Sequence, residues 1–457
     1  MRIAYNQYFC PKLHLKVLVK LKSILEQDGF QRYLKNTSWL FAEKSLRIVV
    51  SLIVGSFIAR YLGPAKYGIY NYAISFVGIF ITLSTLGLDS IVVRDLVKCK
   101  SQEERNKILG TTFLLKIGGF VLVAFLLLGS LFFAENSSLE NTLILIIASS
   151  SFFHSFNVID YHFQSKVLSK YVVFSHILSL LFSAGYKLYL IFTGGTLVDF
   201  ALVVLFESIV LASGLVYFYL KDKVFFRDWK FDKIMAVQKL KESWPLIFAG
   251  VAVSLFLKID QIMIKEILTD SAAGSYAAAV RLSETWYFIP MMITTSLFPA
   301  IVNAKVRNDG SHLIRMQRLF DLMIYLSFAI ALPITFLSPF IIELLFGIEY
   351  IAAAQILIIQ IWTSIFISLG VASGVWLINE NKQKLIFLQT TLGAVLNIVL
   401  NFIFIPSYGI VAAALTSAFS QLFASLLFDL FFKSTRILFT MKLKAIFFVS
   451  LVRKNNS

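Results

Sequence analysis

The sequence predicts an all-α polytopic membrane protein. Its twelve transmembrane helices form two six-helix lobes related by a pseudo-two-fold axis along the membrane normal. Three observations carry this reading. Hydrophobic residues make up 58% of the 457 residues and charged ones only 15%, against about 45–50% and about 25% in a soluble domain. Twelve apolar stretches are long enough for a bilayer, which takes about 20 residues per helix. Basic residues also crowd into every second gap between those stretches.

The elements follow in chain order. Residues 1–37 hold seven Lys or Arg and no apolar run of signal-peptide type. Inside this segment KLHLKVLVKLKSIL, residues 12–25, repeats Lys12, Lys16 and Lys20 every four positions. That spacing suits an interfacial helix on anionic lipid, or a solvated basic tail. The first lobe, 38–220, has spans at 38–62, 67–88, 110–133, 142–162, 171–192 and 199–220. A basic cytoplasmic linker, 221–243, leads to the second lobe, 244–432. Its spans are 244–266, 273–304, 317–338, 350–378, 384–405 and 408–432. A basic tail, 433–457, ends the chain.

Orientation comes from the Lys and Arg. With the N-terminus inside, the inside segments carry 33 of the 42, and the outside gaps carry only Arg60, Lys66 and Lys265. Basic loops stay cytoplasmic, so both termini are placed inside a cytoplasmic membrane. The same bias explains the net charge of +16 without any nucleic-acid partner. Cys10 and Cys99 match no metal or disulfide framework. The outside gaps are too short to build a catalytic domain, and no GxxxxGK[ST] phosphate loop occurs. The expectation is a transporter, not an enzyme, with no cofactor and driven by a proton or sodium gradient.

An internal repeat gives the lobes a direction. LGPAKYGIYNYA, Leu62–Ala73, aligns with LTDSAAGSYAAA, Leu268–Ala279, at an offset of 206 residues. Leu62/Leu268, Gly68/Gly274, Tyr70/Tyr276 and Ala73/Ala279 coincide. Both segments occupy the first outside turn of a six-span set. Six is even, so the two lobes enter the membrane in the same direction. The polar corners at Tyr161–Val173 and Trp376–Leu388 also fall at equivalent turns. Two lobes around a cleft suit alternating access, where a static bundle is the bland alternative.

Ionisable groups inside the spans are expensive and so mark candidate sites. Glu43 and Arg47 are four apart on one helix face, and Arg47 either closes that pair or reaches the cleft. Lys258 sits near the middle of its span and Asp260 two residues on. The two point about 200° apart on a helix, so each needs another partner or water. Arg281 and Glu284, three apart, either tie helices together or present a guanidinium whose fork suits phosphate oxygens. Lys187 and Glu207 pair within the first lobe, or Glu207 acts as a proton-coupling carboxylate. Lys116 begins its span and is expected to snorkel to the interface. His154 and His176 read as hydrogen-bonded packing residues before proton relays. Six bases against four deep acids favour an anionic substrate. Arg47, Lys258 and Arg281 are the substrate-binding candidates, and Asp260, Glu284 and Glu207 the ion-coupling ones.

FIARYLGPAKYGIYNYAISF (Phe57–Phe76), STLGLDSIVVRDL (Ser84–Leu96), KIDQIMIKEILTDSAAGSYAAAVRLSE (Lys258–Glu284) and PSYGIVAAALTSAFSQ (Pro406–Gln421) together resemble the Wzx family of O-antigen or repeat-unit flippases. These belong to the multidrug/oligosaccharidyl-lipid/polysaccharide exporter superfamily, and the resemblance covers residues about 38–432. It implies translocation of undecaprenyl-pyrophosphate-linked oligosaccharide across the bacterial inner membrane for O-antigen, lipopolysaccharide or other surface polysaccharide biosynthesis. Implied partners are membrane lipids, a polysaccharide polymerase and a chain-length regulator. It also implies that basic residues of the first lobe and the eighth helix line the cavity, which Arg47, Lys258 and Arg281 fit by position. A multidrug exporter of the same superfamily calls for an acidic cavity, which this chain lacks. An enzyme acting on the same lipid-linked glycan calls for a large outside loop. A peptidoglycan-precursor flippase tends to carry extra spans.

Overall fold

The structure, a computed structural model, describes residues 28–133, 135–306 and 311–449. The basic amphipathic segment 12–25 lies outside these residues. Among the described residues all regular structure is helical. In chain order the first lobe has α1 (Asp28–Ser84), α2 (Asp89–Lys98), α3 (Gln102–Phe133), α4 (Ser138–Phe153), α5 (Val158–Ser165), α6 (Ser169–Thr193) and α7 (Leu197–Lys221). The second has α8 (Lys233–Ile267), α9 (Asp270–Thr285), α10 (Phe288–Val306), α11 (Ser311–Phe346), α12 (Ala352–Asn379), α13 (Gln383–Ser425) and α14 (Arg436–Ile446).

Ten helical segments among the described residues are long and apolar enough to cross a bilayer. Two of them contain a break. α1 runs for 57 residues, about 85 Å at 1.5 Å per residue, where a bilayer core is about 30 Å thick. It is interrupted at Gly63 (φ 70°, ψ 168°), followed by Pro64. α13 runs for 43 residues and is interrupted at Gly409 (φ 65°, ψ −150°). Only glycine adopts these angles without strain. The break at Gly63 falls in the turn expected between spans 38–62 and 67–88, whereas the break at Gly409 lies just inside the expected span 408–432.

The other turns have local causes. Ser137 and Glu140 form a capping box that starts α4, and Thr196 with Asp199 does the same for α7. Gly194, at φ 78°, ends α6 in the left-handed conformation. Asp232 caps α8, so the second half of the expected linker 221–243 is already helical. The expected basic tail is partly a packed helix. α14 is pinned by Lys442, which is 1% exposed and donates to Asp429 (2.7 Å) and to the Ser425 carbonyl (2.5 Å).

The apolar core is divided. One cluster joins both lobes, with Leu62, Tyr67, Tyr70, Tyr276, Ala277 and Tyr350 among its members. It lies toward the face that carries the α1 break and the α8–α9 turn, called here the far face. Two further clusters lie toward the opposite, terminal face. One belongs to the second lobe, around Met316, Phe320 and Trp376. The other belongs to the first, around Leu88, Val158 and Tyr219. One buried cluster therefore joins the lobes at the far face, while at the terminal face each lobe has its own cluster, the first of which also packs Ile247 of α8. The first lobe also grips the start of α8, through Lys239–Asp95 (2.7 Å) and Arg94–Glu242 (2.6 Å).

Candidate functional site

Two polar sites sit within the apolar body. The first lies between the lobes and is built on α1. Arg47 Nε donates to Glu43 at 2.8 Å, so the expected i,i+4 pair forms. The same guanidinium reaches His176 Nδ1 on α6 at 2.9 Å and Glu207 on α7 at 3.7 Å. Glu207 also accepts from Ser183 at 2.7 Å and pairs with Lys187 at 3.5 Å. The expected Lys187–Glu207 pair is thus one edge of a larger network that Arg47 shares.

Arg281 enters this region from the other lobe. It donates through Nη2 to the Ser51 carbonyl at 2.6 Å, one helical turn above Arg47 on α1. Gly55 makes the crossing possible. A Cβ on Gly55 would lie 2.4 Å from the guanidinium carbon of Arg281. Among the described residues no Arg281–Glu284 ion pair forms within 4.0 Å, so the guanidinium is not closed on its own helix. Arg47, Lys187 and Arg281 bring three cations against the carboxylates of Glu43 and Glu207. In a low-dielectric setting such a surplus attracts an anion strongly.

The second site is a cavity of about 60 Å³ within the second lobe, lined by Lys258, Asp260, Tyr276, Glu284, Gln360 and Ser417 among others. Asp260 is 6% exposed. Its carboxylate accepts from the Tyr276 hydroxyl (2.6 Å), the Asn401 amide (2.6 Å) and the Ser417 hydroxyl. Asn401 accepts in turn from Thr416 and sits 3.4 Å from Asn397. Gln360 donates to the Tyr276 hydroxyl at 3.0 Å. All these partners are neutral. A buried carboxylate surrounded by hydroxyl and amide groups is suited to take a proton or a small cation.

The structure thus sorts the sequence candidates into two groups. Arg47, Arg281 and Glu207 gather between the lobes, while Lys258, Asp260 and Glu284 line the second-lobe cavity. Lys258 and Asp260 form no pair, as their angular separation requires. Among the described residues neither Lys258 nor Glu284 has an ion pair within 4.0 Å. Lys116 departs from expectation. It does not snorkel but is 4% exposed, and it donates to Tyr161 (2.6 Å) and Asp89 (3.2 Å). Tyr161 itself donates to Asp89, and the short α2 helix brings that carboxylate over the Lys116 ammonium. Sequence reasoning passed over Gly55, Asn397, Asn401 and Ser417. The repeated Asn four residues apart inside an apolar span was the available signal.

A family model described as polysaccharide biosynthesis protein matches residues 33–305. The capsular polysaccharide biosynthesis protein CapF of Staphylococcus aureus is 24% identical over 412 residues, covering 87% of this chain and 99% of the relative. The probable low-salt glycan biosynthesis flippase Agl15 of Haloferax volcanii is 29% identical over 166 residues, 35% of this chain and 34% of the relative. In fold, the chain resembles an inward-facing multidrug resistance MATE family transporter of the MOP superfamily. The TM-score is 0.72, with 12% identity over 90% of this chain and 96% of that one. It also resembles the lipid II flippase MurJ in an inward closed conformation, with a TM-score of 0.68 and 18% identity over 93% of each chain.

Proposed function

The chain belongs to the polysaccharide biosynthesis protein family, and from that premise we propose that it flips an undecaprenyl-pyrophosphate-linked oligosaccharide from the inner to the outer leaflet of the cytoplasmic membrane. The observation that carries the reading is the meeting of Arg47 and Arg281 from opposite lobes on one stretch of α1. A pyrophosphate is the part of such a substrate that pays most to leave water, and paired guanidiniums suit its oxygens. The glycan would follow through the cleft while the polyprenyl chain stays in lipid.

In this reading the terminal face is cytoplasmic, and the lobes rock about the two-fold. Coupling is assigned first to Asp260, which has neutral polar partners and, among the described residues, no ion pair within 4.0 Å. Glu284, on the same cavity, comes second, and Glu207 is committed to Arg47 and Lys187. Lys258 and Glu284 line the same cavity as Asp260, which sets a basic substrate-binding candidate beside the coupling carboxylates. O-antigen is one product class that this chemistry serves; the site reads pyrophosphate and carries no signature for one sugar. A multidrug exporter of the same fold would bind cations, and the surplus of positive charge between the lobes opposes that.

The test is leaflet location. In cells lacking this protein, the lipid-linked glycan should stay hidden from an external lectin and return on complementation. If the glycan still reaches the outer leaflet, the protein acts after flipping and the proposal fails.

A further inference from the structure

The far face holds a second, unassigned arrangement. Under the 206-residue offset Gly68 corresponds to Gly274 and Pro64 to Asp270. The structure places these four in a reciprocal contact. A Cβ on Gly68 would lie 1.8 Å from the Asp270 carbonyl oxygen, and one on Gly274 would lie 1.9 Å from that of Pro64. Residue i of one repeat meets j of the other, and the reverse, as a two-fold interface requires. The pseudo-two-fold axis therefore passes between Gly68 and Gly274.

Two basic residues flank this crossing, one from each lobe. Arg60, near the end of the first half of α1, donates to the carbonyls of Glu343 (3.0 Å), Leu344 (2.5 Å) and Leu345 (3.1 Å) in the last turn of α11. A guanidinium there satisfies free carbonyls and opposes the helix dipole. Lys265, near the end of α8, pairs with Glu140 at the start of α4 at 2.8 Å. It also lies 4.6 Å from the centre of the Tyr72 ring. Arg60 shifted by 206 is Glu266, the neighbour of Lys265. Each lobe thus sends a cation from the end of its first span to the corner between the third and fourth spans of the other. These two are also exceptions to the inside bias of basic residues. The Tyr350 hydroxyl adds a bond to the Ala59 carbonyl at 2.8 Å, again across the lobes.

We propose that Arg60 and Lys265 are paired latches which hold the outer side closed around the Gly68–Gly274 crossing, and that both must release for the lobes to open outward. The inference rests on the alternating-access reading above. It explains why the buried apolar cluster shared by both lobes lies at this face. It also explains why small residues are required at the crossing. With the carbonyls of Pro64 and Asp270 this close, no side chain can enter without parting the lobes.

The experiment reads the gate without needing the substrate. In a background with Cys10→Ser and Cys99→Ser, Val280→Cys reports from below the crossing, beside Arg281. Intact cells are treated with a membrane-impermeant maleimide. The parent should label slowly. Arg60→Ala and Glu140→Gln should each label roughly tenfold faster, because each removes a charge-assisted contact from the closed state only. Gln keeps the capping box at Ser137, so Glu140→Gln tests the latch and not the helix start. Arg60 is exposed, so its loss leaves the core packed. The inference is overturned if both variants label at the parent rate, or if the parent already labels as fast as they do. Glycan delivery is scored separately, so a failed flippase reading leaves this result standing.

Discussion

At the scale of single residues, the account turns on which charges are committed and which are not. Among the described residues Arg281 forms no ion pair within 4.0 Å and donates to a backbone carbonyl of the opposite lobe, a contact that a phosphate oxygen can replace. Arg281→Ala is expected to abolish delivery of glycan while leaving membrane insertion intact, and Arg281→Lys to restore only part, since an ammonium lacks the planar fork. Full complementation by the Ala variant in the lectin assay would remove Arg281 from the site. Asp260 gives a second test. Purified protein should melt at a higher temperature as sodium, or protons, are added, and Asp260→Asn should lose that response to whichever ion is coupled. An unchanged response in the variant would move coupling to Glu284. Lys116 belongs to a different class. Its burial against Tyr161 makes Lys116→Met a stability variant, expected to cost about 1–3 kcal/mol because it leaves polar partners unmet. A lower unfolding midpoint in detergent is the check. The presence of these charges was legible in the sequence, as was the Glu43–Arg47 pair. That Lys116 is buried was not, because the group covering it, Asp89, belongs to a short helix after the second span and leaves no local trace.

At the scale of elements, the all-helical membrane architecture was legible, since hydropathy reports directly on what lipid must touch, and the described residues hold ten helical segments long and apolar enough to span. The structure shows what turns the chain at the breaks in α1 and α13: Gly63, followed by Pro64, and Gly409 adopt a backbone that other residues resist. Gly63→Ala is expected to cost about 1–3 kcal/mol through the forced positive φ alone. A midpoint equal to the parent would mean that the turn reorganises freely. The polar nest around Asp260 was less legible. Its parts come from four helices, α8, α9, α12 and α13, and Asn397, Asn401 and Ser417 are unremarkable until α13 folds against α8. The C-terminal α14 was read as a basic tail, because the buried pair Lys442–Asp429 looks in sequence like two ordinary surface charges.

At the scale of the whole molecule, the offset of 206 residues found between Leu62–Ala73 and Leu268–Ala279 turns out to be a contact as well as a repeat. Equivalent glycines of the two lobes touch each other, which ties the symmetry to a specific point on the far face. The division of the buried core at the terminal face into one cluster per lobe fits the same geometry. The anionic preference proposed for the cleft rests on Arg47 and Lys187 in one lobe and Arg281 in the other, so neither lobe alone would make it. The most direct measurement uses purified protein in vesicles, with a fluorescent polyprenyl-pyrophosphate oligosaccharide placed in one leaflet and an impermeant quencher added outside. The account requires quenching to change with time when the native protein is present, and to match protein-free vesicles when Arg281→Ala is used instead. If native protein leaves the lipid where it started, with the gradient imposed in either direction, the molecule does not flip this lipid and the central claim is wrong.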